Sequence, residues 1–466
     1  MRAEGTNSMT PIDGGGPRDL RNIARPLAAI YALEATVAVT FYSLYKATTP
    51  NVGTHYSIFG AVALTSALTS VAIAAFLIVR HRRGYRSLVV AATISLISLT
   101  LAFLVAEITV RLLAQTDATG TTIGNVLLRP TWPEVVDRSQ RLVQPDAKNS
   151  KSTFFVYDPD LGWVVGRSRQ SADGMYSSSV EGIRSTQPGI ALADAPATER
   201  VALIGDSNAF SMEVPFEESL GSHLSGLLGD GIQVLNFGVD GYGIDQIYLR
   251  YKRDVRRWRP KAVMVVFIQH DLMRTMGVYP FVGFGWSGYL VKPRFDIEAD
   301  RLKIINLPLP TPDAILQARA PSELPNIEYD PSYMNTDWDW RFDRGPMVFR
   351  LLTSLSPRWP NRLPRGNADT EALNVRLLRE LISAIEEDGA KPILVFLPRW
   401  SGPDDLAKTT LDALGHPFLD MRDCLLNVPE QQRRVPSGAH YTTEGNLAIA
   451  QCALADVRCA LDETCP

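Results

Sequence analysis

Long apolar runs dominate the first quarter of the chain. Pro26–Tyr45, Ser57–Val79 and Leu88–Ala106 each approach or exceed the ~20 residues that cross a hydrocarbon core. They predict three transmembrane helices. Buried helices of a soluble all-α domain are the competing reading, but the second and third runs carry no charge at all. Arg18, Arg21 and Arg25 precede the first run, and Arg80, Arg82, Arg83 and Arg86 lie between the second and third; the loop after the first holds only Lys46. The positive-inside rule then sets residues 1–25 and the arginine loop in the cytoplasm, and three crossings over 26–113 leave the rest outside, periplasmic in a Gram-negative cell. A cleaved signal peptide fits less well, because the charged leader is long and no small-residue cleavage site stands out. Glu34, within the first run, marks a functional site or a helix contact. Glu107 and Arg111, four apart at the end of the third, predict an interfacial ion pair.

From Ala114 to about Ser152 the pattern turns polar and irregular, as in a juxtamembrane connector. An aromatic segment with a DP turn follows, FFVYDPDLGWVVGRSRQ, and then the EGIR of Glu181–Arg184; these read as an arm packing on a main domain, so that 114–199 is connector and arm. Beyond it strand and helix patterns alternate. Strands are predicted at Arg200–Ile204, Gln233–Phe237, Ala262–Ile268, Pro392–Leu397 and Pro417–Leu419. Helices are predicted at Ser219–Leu228, Asp245–Trp258, Asp369–Glu387 and from near Thr443. The run AVMVVFI at Ala262–Ile268 suits a central parallel strand buried on both faces. Residues 200–466 therefore predict an α/β domain, a doubly wound parallel sheet between two helical layers. A long insertion at about 281–364, rich in Pro, Trp and Asp, breaks the rhythm and is placed to cover or shape a site. Trp338 and Trp340 within it are candidates to stack on sugar rings or to anchor the insertion.

Composition adds limits. With 466 residues, 45% hydrophobic and 21% charged, the chain can bury a sizeable core. A net charge of -3 gives no general attraction to phosphate backbones, which excludes nucleic acid as the expected partner. All four cysteines, Cys424, Cys452, Cys459 and Cys465, lie near the C-terminus, and in an oxidising compartment they predict two disulfides with the pairing open. A zinc site is disfavoured because no C-x-x-C pair is present and no histidine is suitably interleaved.

The chemistry is sought at the carboxyl ends of the strands. The first strand there runs into VALIGDSNAF, where Gly205 permits a sharp turn and Ser207 stands at the mouth of a helix whose N–H groups could face an oxyanion. A helix-capping role for the same tripeptide is the plain alternative. His440, in SGAHYTTEGN just before the last helix, is the histidine that returns to the same sheet edge and can serve as base. His55 and His81 belong to the membrane region, His223 lies inside a helix, and His416 precedes a strand on its wrong side.

Four segments in order, GDSN at Gly205–Asn208, NFGVDGYG at Asn236–Gly243, FIQHDL at Phe267–Leu272 and SGAHYTTEGN at Ser437–Asn446, resemble the nucleophile, second, third and histidine blocks of the SGNH (GDSL-type) hydrolases over about Arg200–Ala460. DPDLGW, GIR and VKPRFDIEADRLKIINLPLP further resemble membrane-linked bacterial members. The resemblance implies a flavodoxin-like α/β/α sandwich and an ester hydrolase in which Ser207 attacks, His440 is the base, and the N–H groups of Ser207 and Gly241 hold the oxyanion, without metal or organic cofactor. Two positions depart from the family. His270 stands where a side-chain amide normally donates to the oxyanion, and an imidazole N–H can donate too. Ser437 stands where an aspartate three residues before the histidine normally orients it. Asp420 and Asp423 are candidate substitutes, and a dyad steadied by Ser437 or a backbone carbonyl is the other option. The expectation is a membrane-anchored serine hydrolase removing an acyl group, such as acetyl, from an extracytoplasmic glycan or small ester. The alternatives are an O-acyltransferase to a cell-surface sugar, working with a membrane acyltransferase partner, and a glycan-binding protein that has lost its chemistry.

Overall fold

The computed structural model describes residues 103–462 apart from 118–119, 125, 129, 144–153, 195–198, 285–288, 334–346, 356–367 and 399–403. The first two expected spans with Glu34, the third up to residue 102, and Trp338 and Trp340 lie outside the described residues. Among the described residues no helix is long and apolar enough to cross a membrane. They fall into two compact units: those up to Ala114, within Ile123–Arg129 and within Gly345–Trp359 form one, and those within Gln115–Thr122, Pro130–Arg344 and Pro360–Pro466 form the other.

In the smaller unit a helix over 103–113 exposes Leu104, Val105, Ile108, Leu112 and Leu113. The expected Glu107–Arg111 pair is formed at 2.7 Å. The Glu107 carboxylate also accepts the N–H groups of Met347 and Val348, each at 3.0 Å, and so caps the helix Met347–Ser354.

In the larger unit the connector is less irregular than its composition suggests, since it contains a helix α1 (Trp132–Val143). The arm follows as a hairpin of β1 (Phe155–Asp158) and β2 (Gly162–Val165), then two short strands, β3 (Ser177–Ser178) and β4 (Arg184–Ser185). The sandwich proper comprises β5 (Glu199–Gly205), α2 (Ser207–Phe210), α3 (Leu220–Leu228), β6 (Ile232–Asn236), α4 (Ile244–Arg250), β7 (Ala262–Phe267) and α5 (Gln269–Arg274). After the insertion, with its hairpin β8 (Phe295–Glu298) and β9 (Arg301–Ile304), come α6 (Ala368–Glu387), β10 (Lys391–Phe396), α7 (Asp405–Leu414), β11 (Phe418–Asp420) and α8 (Thr443–Asp462).

The central sheet has seven strands in the order β11-β10-β7-β5-β6-β4-β3. β5, β6, β7, β10 and β11 are parallel, with Val266 beside Gly205 and Phe267 beside Phe396. The arm adds β4 and β3 antiparallel at the β6 edge, so the sheet is mostly rather than wholly parallel. Alternate residues of β5 and β7 feed two cores. Ala202, Ile204, Val263 and Val265 face α4, α6 and α7, whereas Val201, Leu203, Met264 and Val266 face α3 and α8. This is the expected three-layer α/β/α arrangement.

Two details differ from the sequence pattern. The helix expected over Asp245–Trp258 is α4 continued by a wider turn at Tyr251–Val255 and a tighter one at Arg256–Trp258; the change of winding buries Tyr251, Val255 and Trp258 together ahead of Pro260. The insertion is more than a cover, because Tyr279, Phe281, Val291, Leu309 and Ile315 form a separate core with Trp132 of α1. A fully buried pair, Lys292 with Asp245, fastens the insertion to the start of α4.

Candidate active site

Ser207 is placed by a sharp exit from β5. Gly205 has φ 155°, and a Cβ there would lie 2.2 Å from the Val266 carbonyl oxygen, so only glycine lets β5 run this close to β7. Asp206 then caps α2, its Oδ1 accepting the Asn208 N–H at 2.8 Å, and Ser207 is the first residue of the helix, 5% exposed. Its Oγ donates to Asp206 Oδ2 at 3.4 Å and has no hydrogen bond to His440.

The second block lies alongside. Gly238 packs against α2 so closely that a Cβ would come within 2.3 Å of the Phe210 nitrogen. Gly241 follows at φ 76°, a left-handed conformation that suits glycine. Among the described residues neither the Ser207 nor the Gly241 N–H donates a hydrogen bond, so both donors are available to an oxyanion. The arm steadies the loop: Trp163 Nε1 donates to the Asp240 carbonyl at 2.7 Å, and Tyr289 of the insertion donates its hydroxyl to Asp240 Oδ2 at 2.9 Å. His270 stands half-buried on α5, directly after β7 and on the same rim.

Under this rim lies a buried acid pair. Arg274 Nη1 is 2.6 Å from Asp271 Oδ1 and 3.6 Å from Asp206 Oδ2. Burial first, and then the neighbouring Asp206 charge, push the Asp271 carboxyl well above the ordinary carboxylate range, against the opposing pull of Arg274.

His440 arrives from the far end of the chain. Arg434 fixes its loop by donating to the Pro398 carbonyl beyond β10 at 2.8 Å and to the Tyr441 hydroxyl at 2.9 Å. Past the histidine, Thr443 and Asn446 bind Glu218. The loop is thereby tied to the segment that follows Ser207.

The carboxylate that meets the imidazole is one the sequence pattern did not single out. Glu213 Oε2 lies 2.5 Å from His440 Nδ1, and Ser437 Oγ donates to that same oxygen at 2.8 Å. His440 Nε2 has no hydrogen bond among the described residues, so the nitrogen that a base would use is open. The two aspartates considered as substitutes are elsewhere. Asp420 binds Arg422 at 2.7 Å, Asp423 is exposed in the short helix that follows, and neither touches His440. Ser437 reaches the imidazole only through Glu213.

Glu213 occupies its place at a cost. It has φ 67° and Ser211 has φ 59°, a conformation that costs a non-glycine residue roughly 1–2 kcal/mol. The Glu213 side chain is 37% exposed, and ion pairs at such exposure return only about 0–1 kcal/mol. Neighbours hold the turn instead. The buried Arg184 guanidinium donates to the carbonyls of Phe210, of Ser211 at 2.6 Å and of Val214 at 2.7 Å, and stacks over the Phe210 ring at 4.5 Å. The Tyr176 hydroxyl accepts the Glu213 N–H at 2.8 Å. Burial pulls the Arg184 pKa down to about 10, which leaves it charged at neutral pH. The one sequence signal that could have led here is negative: the histidine block lacks its acid, and Glu213 is the sole carboxylate between Ser207 and Phe216.

The described residues also contain the disulfide Cys424–Cys452, and Cys459 is disulfide-bonded as well. Among them no group of His, Cys, Asp and Glu could hold a metal ion.

No protein-family model and no curated protein matches the chain. Solved structures with some likeness include a lipase/acylhydrolase from Enterococcus faecalis, 12% identical over 56% of this chain and 96% of that one, with a TM-score of 0.30. Axe2, an acetylxylan esterase from Geobacillus stearothermophilus, is 13% identical over 56% and 94% of the two chains, with a TM-score of 0.31. TesA is 11% identical over 56% and 99%, also with a TM-score of 0.31. Likeness this slight bears on neither substrate nor mechanism.

Proposed function

We propose that this chain is a membrane-anchored SGNH-type serine enzyme that takes an acyl group from an ester onto Ser207. The observation that supports the reading is the Glu213 carboxylate, shortly after the helix-start Ser207, bound to His440 Nδ1, while the N–H groups of Ser207 and Gly241 make no hydrogen bond among the described residues. The reaction requires the Ser207 hydroxyl to leave Asp206 and turn towards His440. Oγ then attacks the ester carbonyl while Nε2 accepts its proton, and the oxyanion is met by the N–H groups of Ser207 and Gly241. As the ester C–O bond breaks, the imidazolium returns the proton to the departing alkoxide. Water, deprotonated by the same nitrogen, releases the acid and restores the hydroxyl.

The substrate assigned is an acetylated or similarly short-acyl glycan or small ester outside the cytoplasm. Support for the location comes from the arginine distribution around the three apolar runs, from the apolar side chains exposed on 103–113, and from a disulfide within the catalytic unit.

The test uses the full chain in detergent micelles with p-nitrophenyl acetate and a fluorophosphonate probe. Turnover and labelling are expected in the wild type and lost in Ser207→Ala and His440→Ala. A folded wild type silent to both reagents overturns the proposal in favour of a glycan-binding role. Acetate appearing on an added acceptor sugar instead of in solution identifies transfer.

A further inference from the structure

We propose that Glu213 is the positioning residue for His440, replacing the acid that the histidine block lacks, and that Ser437 serves this chain as the hydrogen-bond donor steadying that carboxylate. The inference rests on the acyl chemistry proposed above and names how its base is held.

Three observations converge. Glu213 Oε2 meets His440 Nδ1 and Ser437 Oγ together, at 2.5 and 2.8 Å, so one oxygen organises the loop that carries the base. The contact to Nδ1 fixes the tautomer that leaves Nε2 free to accept a proton. The turn displaying Glu213 is held in a strained conformation by Arg184 and Tyr176, and this strain exceeds what an exposed ion pair returns; persistent strain of that kind is a mark of function. Finally, an aspartate at position 437 would confront the Glu213 carboxylate with a like charge, whereas the serine found there donates a proton to it. The two positions are complementary. Glu213 and Ser437 together do the work of a single acid placed three residues before the histidine.

The experiment compares full-length wild type, Glu213→Gln, Ser437→Asp and the double variant Glu213→Gln/Ser437→Asp. Expected for Glu213→Gln is a fall in kcat of roughly two to four orders of magnitude, with KM and the thermal midpoint little changed. The double variant is expected to regain at least roughly tenfold, since a carboxylate is restored to the ring from the other side. Wild-type kcat in Glu213→Gln overturns the positioning role, and absence of recovery in the double variant overturns the complementarity of the two positions. A readout independent of turnover is the low-field Nδ1 proton signal of 15N-histidine-labelled protein, expected in wild type and Ser207→Ala and lost in Glu213→Gln. If esters are not turned over but this signal responds as stated, the acyl chemistry fails and the positioning stands; a signal indifferent to Glu213→Gln defeats the positioning.

Discussion

Trp163 lies flat against Tyr289, ring centroids 4.2 Å apart and planes 6° from parallel, and each donates a hydrogen bond to Asp240. An arm residue and an insertion residue thus grip the peptide that delivers the Gly241 N–H. A Cβ on residue 241 would meet the Tyr289 ring at 3.2 Å, at a φ of 76° that L side chains avoid. Gly241→Ala should therefore lower kcat roughly 100-fold, the usual scale for losing one oxyanion donor, with a smaller change in KM. Trp163→Phe, which keeps the stack and removes the donor to Asp240, should fall between this variant and the wild type. Equal kcat in all three would show that Gly241 takes no part in the reaction.

Arg184 is 2% exposed and serves the carbonyls of three residues that flank Glu213. Arg184→Met leaves those carbonyls buried without a donor, each at a cost of about 1–3 kcal/mol. A loss of about 3 kcal/mol or more in unfolding free energy is expected in chemical denaturation. A destabilisation below 1 kcal/mol would mean that water or repacking replaces the guanidinium.

The fold was legible in the chain for a definite reason. Strands such as Ala262–Phe267, buried on both faces, must be continuously apolar, and helices such as α6 and α8 must show one apolar side; both patterns survive in the residues themselves. Ser207, His440 and Gly241 stand out as candidates because short sequence blocks carry them. Glu213 was not, since nothing in SNAFSMEV reveals that the chain will turn through two left-handed residues and aim that side chain at a histidine more than two hundred positions away. Such a turn depends on Arg184 and Tyr176, which lie upstream in a segment whose pairing with the sheet is too short to leave a period. The connector helix α1 was missed because its apolar residues pack on the distant insertion, and the polar remainder dominates its composition.

Asp271 gives a pH signature. Its folded-state carboxyl is raised well above the ordinary range by burial and by Asp206, so between the ordinary value and the raised one the folded chain holds a proton that the unfolded chain has released. Unfolding free energy must then fall with rising pH through that window, by at most about 1.4 kcal/mol per pH unit. The stabilisation is complete below the ordinary carboxylate range and is lost as pH climbs to the raised value. Asp271→Asn removes the titration, so the stability difference between wild type and variant should shift in favour of the variant from about pH 4 upward. Parallel stability curves for the two proteins would rule this out.

The Cys424–Cys452 bridge closes 28 residues that include the whole loop bearing His440. Chain-entropy reasoning assigns such a bridge about 3–4 kcal/mol. Replacing both cysteines by serine should lower the denaturation midpoint accordingly and make activity fall at a lower temperature than in the parent. An unchanged midpoint would mean that the loop is already confined in the unfolded chain.

The pair β3 and β4 meets β6 at one point, with Arg184 opposite Asn236 and the strands antiparallel. This short ribbon supplies Arg184 from within β4 and Tyr176 from just before β3. One stretch of about ten residues thus both joins the sheet and holds the turn that displays Glu213. Trimming the protein to its tidiest sandwich, beginning at β5, would take away both side chains that brace this turn and leave Glu213 free to swing off His440.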